Sequence, residues 1–197
     1  MLFDSDTRIP QKTPFIFGTD GWSKDLKYKQ SPNIGGDYPK PPQFIVIHYT
    51  AGGTKSADYL CRPEAKASAH FCVTREGLIQ QIVSIRKRAR HAGASSWKGL
   101  QNLNTYSIGI EFENWGYLSR NAEGRYFPPS TGGKVVIPSN RVELARHKNP
   151  KSSYGAWETY TEEQYLAGVE LCRALMAFYP SITGIIGHDD IAPCTIS

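Results

Sequence analysis

The chain has 197 residues, 40% of them hydrophobic, and a formal net charge of +5. This length is enough for one sizeable core but short for two ordinary domains, so we expect a single domain. No apolar run reaches the roughly 18 to 20 residues of a membrane span, and the first residues lack the apolar stretch of a signal peptide. We therefore predict no membrane span and no Sec export, which leaves the cytoplasm, another export route or release by lysis.

The positive charge suits a polyanionic partner such as nucleic acid, anionic lipid or a cell wall that carries carboxylates and phosphates. The basic residues are scattered along the chain, and the dense cluster at 86–90 is not accompanied by any nucleic-acid-binding motif. We interpret this cluster as a solvated face and predict no nucleic-acid partner.

Residues 1–42 are rich in Pro, Gly, Lys and Asp and show no sustained hydrophobic periodicity. We expect them to form an N-terminal extension that is wrapped over the domain or partly disordered. The domain itself is predicted to span 43–197. Its first element is the apolar, β-branched run at 43–48, which is typical of a strand buried on both faces and ends at His48.

A hairpin and an alternating strand are predicted next. Residues 69–74 and 78–85 flank a turn and favour a β-hairpin. Residues 106–113 alternate between apolar and polar positions, which predicts a strand with one buried face. Glu111 and Glu113 would share the other face of this strand.

The segment at 115–160 is long, polar and rich in Pro and Gly. Loops of this length in compact domains are usually functional or mobile. We expect a long insertion loop at the rim of a site.

The last predicted elements are a helix and a second buried strand. Thr161 and Gln164 have the spacing of a capping box, which indicates that a helix begins there and continues to about Tyr179. The apolar run at 182–187 is typical of a buried strand and is followed by His188. The apolar stripe of the helix is predicted to consist of Leu166, Val169, Cys172 and Met176.

This alternation of strands and helices favours an α/β fold, with a mixed central β-sheet flanked by helices. His48 and His188 are 140 positions apart, but each ends a predicted buried strand, where α/β folds commonly bind ligands. Catalytic zinc takes three protein ligands, among which histidine is common. The two histidines fit the start of a zinc site; the alternative is that each is a packed or hydrogen-bonded residue.

Six segments of the chain follow one another in an order found in a known family: IVIHYTAGG, SAHFCVTREGLIQQIV, RHAG, NLNTYSIGIEFEN, the helix from Tyr160, and ITGIIGHDDIAP. Together, from about Phe44 to Pro193, they resemble the type 2 N-acetylmuramoyl-L-alanine amidases, which include recycling amidases, phage endolysins and animal peptidoglycan recognition proteins. The resemblance implies the amidase fold shared with the recognition proteins. It also implies hydrolysis of the amide bond between N-acetylmuramic acid and L-alanine, with Zn²⁺ as cofactor.

The resemblance assigns the reactive centre to three residues. It implies that His48 and His188 are zinc ligands. It also implies that Glu111 is the catalytic residue, which would take a proton from the attacking water and pass it towards the leaving amine. The alternative for Glu111 is a strand carboxylate paired with an arginine.

Three further residues are predicted to bind substrate. His70 matches a position beside the site, and His91 and Asn104 match positions that line the muramyl-peptide groove. Some relatives carry a tyrosine next to His70; here that neighbour is Ala69, so no tyrosine role is transferred. Ordinary loop hydrogen bonding is the alternative for His91 and Asn104.

The resemblance fails at the C-terminal end. Relatives usually continue with Gly-Arg-Lys-x-Asp-Pro-Gly, in which the aspartate is the third zinc ligand and the lysine helps to stabilise the oxyanion. Here Ile196 stands at the lysine position, and the aspartate position falls just beyond Ser197. Three explanations stay open: an altered or truncated end that leaves an impaired enzyme, Cys194 as a substitute thiolate ligand, or a protein that binds muramyl peptides without cleaving them.

We therefore predict a monomeric zinc amidase that acts on peptidoglycan or muropeptides. The alternative hypothesis is a catalytically impaired protein that binds the same molecules.

Overall fold

The computed structural model describes residues 15–146 and 154–192. The strands in these ranges are β1 (Lys27–Tyr28), β2 (Ile34–Asp37), β3 (Phe44–Tyr49), β4 (Phe71–Val73), β5 (Ile79–Gln81), β6 (Lys87–Ala89), β7 (Ser96–Trp97), β8 (Leu100–Gln101), β9 (Ser107–Phe112), β10 (Tyr117–Arg120), β11 (Tyr126–Phe127), β12 (Val142–Arg146), β13 (Tyr154–Glu158) and β14 (Gly184–Gly187). The α-helices are α1 (Ser56–Leu60), α2 (Glu162–Phe178) and α3 (His188–Ile191), and short 3₁₀ turns lie at Pro63–Ala65, Leu103–Thr105, Pro129–Thr131 and Ser139–Arg141. Among these described residues, no helix combines the length and apolar character needed to cross a membrane.

A mixed sheet forms the centre of the fold, with the strand order β1, β5, β4, β9, β3, β14. β3 pairs in parallel with both β9 and β14, and β9 pairs in parallel with β4. β4 and β5 are antiparallel, so the predicted hairpin is confirmed. The register places His48 of β3 directly beside Glu111 of β9, which puts their side chains on the same face of the sheet.

Helix α2 covers the opposite face of this sheet. Its capping box forms as predicted, because the Thr161 side chain accepts from the Gln164 backbone N–H and the Gln164 side chain accepts from the Thr161 backbone N–H. The buried face of the helix is rotated from the predicted stripe: Leu171 and Leu175 are fully buried, whereas Leu166, Val169 and Met176 are half-buried. The rotation arises because small residues let the helix approach the sheet, as at Gly168, where an added Cβ would lie 2.7 Å from the Phe112 ring.

Two short helices cover the face that carries His48. Ala57 of α1 packs with Cys72 and Ile82. Ile191 of α3 packs with Val46, which lies two positions before His48 on β3. Helices thus flank the mixed sheet on both faces, and the predicted α/β fold class is confirmed.

The described part of the N-terminal extension, residues 15–42, packs against the domain. β1 pairs in parallel with β5, and β2 pairs antiparallel with β6. Phe17 is buried in the main core. Within the described residues the extension therefore wraps over the domain, which was one of the two expected alternatives; the boundary at residue 43 stays a prediction.

In the described parts of the expected long loop at 115–160, which are 115–146 and 154–160, four strands form a second sheet instead. Its antiparallel strands follow the order β11, β10, β13, β12, and a small core of its own contains Leu118, Ile137 and Ala156. The loop prediction was wrong because these strands are short and separated by Pro and Gly. Among the described residues of this segment, the buried hydrophobic side chains form one small cluster, so the apolar alternation that marks a strand is weak.

Candidate active site

His48 and His188 meet at the carboxyl ends of two neighbouring parallel strands. β3 and β14 are paired in register up to Ile47 and Gly187, so the two histidines emerge side by side. Their Nδ1 atoms are 2.9 Å apart. Two nitrogens bound to one zinc ion at about 2.0 to 2.1 Å, with tetrahedral angles, lie roughly 3.3 Å from each other. The pair is therefore close to the spacing of two ligands of one metal ion.

The second ring nitrogen of His48 is held by His91. His48 Nε2 lies 2.9 Å from His91 Nδ1, and His91 Nε2 lies 3.5 Å from Ser107 Oγ. When His48 Nε2 carries the proton and donates a hydrogen bond to His91 Nδ1, the Nδ1 lone pair of His48 is available for a metal ion. Supporting partners of this kind fix the tautomer and orientation of histidine ligands.

Two residues hold His91 itself. Asn104 Oδ1 accepts hydrogen bonds from the backbone N–H groups of His91 and Ala92, at 2.9 and 2.8 Å. On the sheet side, a Cβ at Gly109 would lie 2.4 Å from His91 Cγ, so only glycine leaves room for the ring. The structure thus brings His91 and Asn104 together with the two predicted ligands.

The histidines are neutral at pH 7. Burial, followed by the neighbouring His188, lowers the pKa of His48 from 6.5 to about 3. Burial also lowers the pKa values of His91 and His188. Because a metal ion binds the neutral imidazole, this protonation state fits a metal site.

Glu111 lies between His48 on one neighbouring strand and Cys72 on the other. Burial raises the pKa of its carboxyl from 4.5 to about 7. Its Oε2 is buried and has no hydrogen-bond partner within the described residues, which is costly unless a further group meets it there. A carboxyl with these properties can accept and return a proton near neutral pH.

The alternative for Glu111, a strand carboxylate paired with an arginine, describes Glu113 instead. Across the described ranges, no ion pair involves Glu111. Glu113 Oε2 lies 3.9 Å from Arg75 Nη1.

His70 lies inside the protein, below the candidate site. The residue is fully buried, its Nδ1 accepts from the Gly109 N–H at 2.9 Å, and its Nε2 lies 2.9 Å from the Lys87 carbonyl oxygen. The Tyr38 hydroxyl is 3.1 Å from the same Nε2. Because both ring nitrogens are taken up inside the protein, this geometry favours a structural role under the site over the predicted substrate contact. Tyr38 escaped the sequence analysis because it lies in a segment without periodicity.

Two grooves are lined by residues of the candidate site. One, of about 580 Å³, is lined by Lys66, Arg88, Arg90, His91, Asn104 and His188, among others. The other, of about 600 Å³, is lined by residues 50–56 together with Tyr59, Leu60, Glu111 and Trp115. A separate apolar pocket between α2 and β14 lies on the opposite face of the sheet and contains none of the predicted site residues.

The third predicted ligand, Cys194, lies outside the described residues. Within residues 15–146 and 154–192, no cluster of three or more His, Cys, Asp or Glu side chains is arranged to hold a metal ion. The two histidines therefore fit two positions of a zinc site, and the third stays a prediction.

The mixed sheet thus brings two neutral histidines and a buried carboxyl together at the ends of neighbouring strands, which is an arrangement that a metal-dependent hydrolase can use. The model of the N-acetylmuramoyl-L-alanine amidase family, Amidase_2, matches residues 38–197. The chain belongs to this family, and both the predicted family and the hydrolase class are confirmed.

Known amidases are similar to most of the chain. The 1,6-anhydro-N-acetylmuramyl-L-alanine amidase AmpD of Haemophilus influenzae is 30% identical over 195 residues, which cover 88% of this chain and 84% of the relative. The N-acetylmuramoyl-L-alanine amidase AmiD of Escherichia coli is 34% identical over 119 residues, which cover 56% of this chain and 42% of AmiD. The chain thus matches less than half the length of AmiD.

Solved structures agree with the fold. A crystal structure of AmpD superposes with a TM-score of 0.58 at 26% identity and covers 90% of this chain and 88% of that one. AmiD from E. coli, in complex with the substrate anhydro-N-acetylmuramic acid-L-Ala-D-γ-Glu-L-Lys, superposes with a TM-score of 0.56 at 26% identity and covers 91% and 58%.

Proposed function

We propose that this chain uses Zn²⁺ to hydrolyse the amide bond between N-acetylmuramic acid and L-alanine in muropeptides or peptidoglycan. The observation that carries the proposal is the position of Glu111, with an unpartnered buried oxygen, directly beside His48 on the strand edge where His188 also lies. Family membership supports the reaction class. The AmiD complex with an anhydromuramyl peptide supports a substrate of this kind.

His48 and His188 would hold the zinc ion through Nδ1, with Cys194 as the proposed third ligand. A zinc ion held there would supply Lewis-acid chemistry, towards the scissile carbonyl and towards water. A thiolate is a suitable zinc ligand, which supports Cys194 in place of the family's aspartate.

Glu111 performs the proton transfers. Its carboxylate takes a proton from the attacking water, and the resulting carboxylic acid gives that proton to the leaving amine of L-alanine. A pKa of about 7 suits both steps, because neither protonation state is strongly disfavoured at neutral pH. His91 orients His48, and Asn104 holds the backbone of His91.

The two grooves would receive the two parts of the substrate on either side of the scissile bond. Lys66, Arg88 and Arg90 contribute positive charge to one groove. Carboxylates of the stem peptide would be attracted to it.

The proposal is tested by measuring zinc content and stem-peptide release together on the purified chain and on Glu111→Gln. We expect about one equivalent of zinc in both proteins, because the amide leaves the two histidines in place. Peptide release should fall roughly 100-fold or more in the variant, the usual loss when a general base is removed. Unchanged release in Glu111→Gln would contradict the assigned role.

A protein that binds muramyl peptides without cleaving them is the second candidate, because Ile196 replaces the family's lysine. Cys194→Ala separates the two candidates, with Cys61→Ala as the matched thiol control. Loss of zinc and peptide release in Cys194→Ala alone would support a substitute ligand in an active amidase. Peptide binding without zinc and without release in the unmodified chain would support the binding protein.

A further inference from the structure

Trp115 forms part of the groove that contains Glu111. It follows Glu111 by four positions and lies just beyond the end of β9. The indole is half-buried and lies against Gly53, where an added Cβ would be 3.3 Å from Trp115 Cζ2. Trp115 also packs against the small core of the second sheet, and its remaining surface lines the groove.

Glu158 fixes the backbone of Trp115. Its side chain is fully buried, and Oε2 accepts a hydrogen bond of 2.6 Å from the Trp115 N–H. Arg75 donates to both carboxylate oxygens, at 3.1 and 2.9 Å, and Arg141 also donates to Oε1. Charge-assisted bonds of this type are stronger and more directional than neutral ones.

Further hydrogen bonds join the same backbone segment to β13. The Asn114 side chain donates to the Glu158 carbonyl oxygen at 3.1 Å and accepts from the Gly116 N–H at 2.7 Å. The Glu158 N–H donates to the Gly116 carbonyl oxygen at 2.9 Å. The second sheet, through β13, thus sets where Trp115 stands relative to Glu111.

The indole is the largest flat apolar surface in this groove. Most of the remaining lining is residues 50–56, which are glycines, small side chains and one lysine. A partly exposed indole beside a proton-transferring carboxyl offers a binding surface for a flat or alkyl part of a ligand.

We infer that Trp115 contacts the muropeptide in the groove next to Glu111 and that Glu158 is a positioning residue that acts through Trp115. This inference rests on the proposed function for the identity of the ligand. The contacting part of the ligand is apolar, either the non-polar face of the sugar ring or the aliphatic part of the stem peptide.

The test measures the Kd of anhydro-N-acetylmuramic acid-L-Ala-D-γ-Glu-L-Lys in a Glu111→Gln background, where turnover does not interfere. We expect Trp115→Ala to raise Kd about tenfold and Trp115→Phe to stay within about threefold of the parent, since phenylalanine retains an aromatic face. Ligand binding should also change the tryptophan fluorescence, and Trp115→Phe should abolish that change. Leu144→Ala, at an exposed site on β12, is the control and should leave Kd unchanged.

Glu158→Gln tests the positioning role. We expect Kd to rise in the single variant but no additional rise when Glu158→Gln is combined with Trp115→Ala, because both changes remove the same contact. If Glu158→Gln does not fold, Trp115→Ala and Trp115→Phe still decide the inference. A folded Trp115→Ala protein with the parent's Kd would overturn the inference. An additive effect of the two substitutions on Kd would overturn the positioning role of Glu158.

The two proposals fail in different ways. Normal peptide release combined with a Kd that is insensitive to Trp115→Ala overturns this inference alone. A Trp115-dependent Kd without any peptide release supports the inference and overturns the amidase proposal. Competition by N-acetylmuramic acid or by the L-Ala-D-γ-Glu-L-Lys peptide then identifies the part of the ligand that Trp115 contacts.

Discussion

At the scale of single residues, the site depends on side chains whose properties are set by burial. Glu111 is an ordinary carboxyl in sequence, but its place between two buried strands raises its pKa to about 7. The same burial keeps His48 neutral. Local surroundings therefore give both the proposed proton acceptor and the candidate metal ligand protonation states that suit neutral pH.

The raised pKa of Glu111 predicts a pH-dependent cost in stability. Because the folded-state pKa of about 7 exceeds the ordinary 4.5, the stability conferred by the neutral carboxyl is fully present below pH 4.5 and is lost as pH rises through about 7. Glu111→Gln keeps a neutral side chain at every pH. In metal-free protein, we expect this variant to be more stable than the parent by about 1 to 3 kcal/mol at pH 8.

Urea unfolding at pH 8 and at pH 4 measures this effect. The difference between variant and parent should disappear at pH 4, where both side chains are neutral. An equal difference at both pH values would show that the carboxyl does not titrate as its burial requires.

The contact between Gly109 and His91 predicts a second residue-scale effect. Gly109→Ala would place a methyl group 2.4 Å from His91 Cγ, so the ring must move and its hydrogen bond to His48 is lost. We expect zinc affinity to fall by about 10- to 100-fold, as measured by competition with a chromogenic chelator.

Gly168→Ala is the matched control for that substitution. It introduces a similar clash with Phe112, at 2.7 Å, but on the opposite face of the sheet. It should lower stability without changing zinc affinity. Equal losses of zinc affinity in both variants would mean that general destabilisation, and not His91, is responsible.

At the scale of elements, α2 and the second sheet hold the ends of the strands that carry the site. Thr161 caps α2 and also donates to the Arg75 carbonyl oxygen at 2.7 Å. Arg75 in turn binds Glu158 of β13. The start of the helix, the β4–β5 turn and the second sheet are therefore connected next to the groove that contains Glu111.

Thr161→Ala should lower the free energy of unfolding by about 1 to 2 kcal/mol, because the cap and the bond to the β4–β5 turn are lost together. Chemical denaturation of the metal-free protein measures the loss. Thr183→Ala, at an exposed position, serves as the control and should change stability little. A Thr161→Ala protein as stable as the parent would contradict the contribution assigned to the capping box.

At the scale of the whole molecule, the candidate metal site joins two distant parts of the chain. His48 and His188 are 140 positions apart and meet only when β14 has paired with β3. Zinc that binds this pair therefore binds the folded protein and not the unfolded chain, which stabilises the fold by mass action.

We expect zinc at about 100 times its Kd to stabilise the protein by about 2.7 kcal/mol and to raise Tm by roughly 5 to 10 °C, measured against a chelator-treated sample. The shift should vanish in the His48→Gln, His188→Gln double variant. A shift of the same size in that variant would place the zinc elsewhere.

The sequence by itself determined the elements whose signals are local. The apolar runs of β3 and β14, the alternation of β9 and the capping box of α2 are each contained in a few consecutive residues, so the sequence predicts them. The candidate site residues His48, Glu111 and His188 lie at or next to the ends of these strands. The ordered motifs added the family, which the comparisons confirmed.

Only the tertiary structure decided the contacts between segments that are far apart in the chain. His70 became a buried support because Tyr38, Lys87 and Gly109 surround it, and none of these contacts follows from a periodicity. The second sheet and the hydrogen bond between Glu158 and Trp115 could not be predicted from the sequence either. Strand pairing and the partner of a buried charge depend on which surfaces meet after the chain has folded.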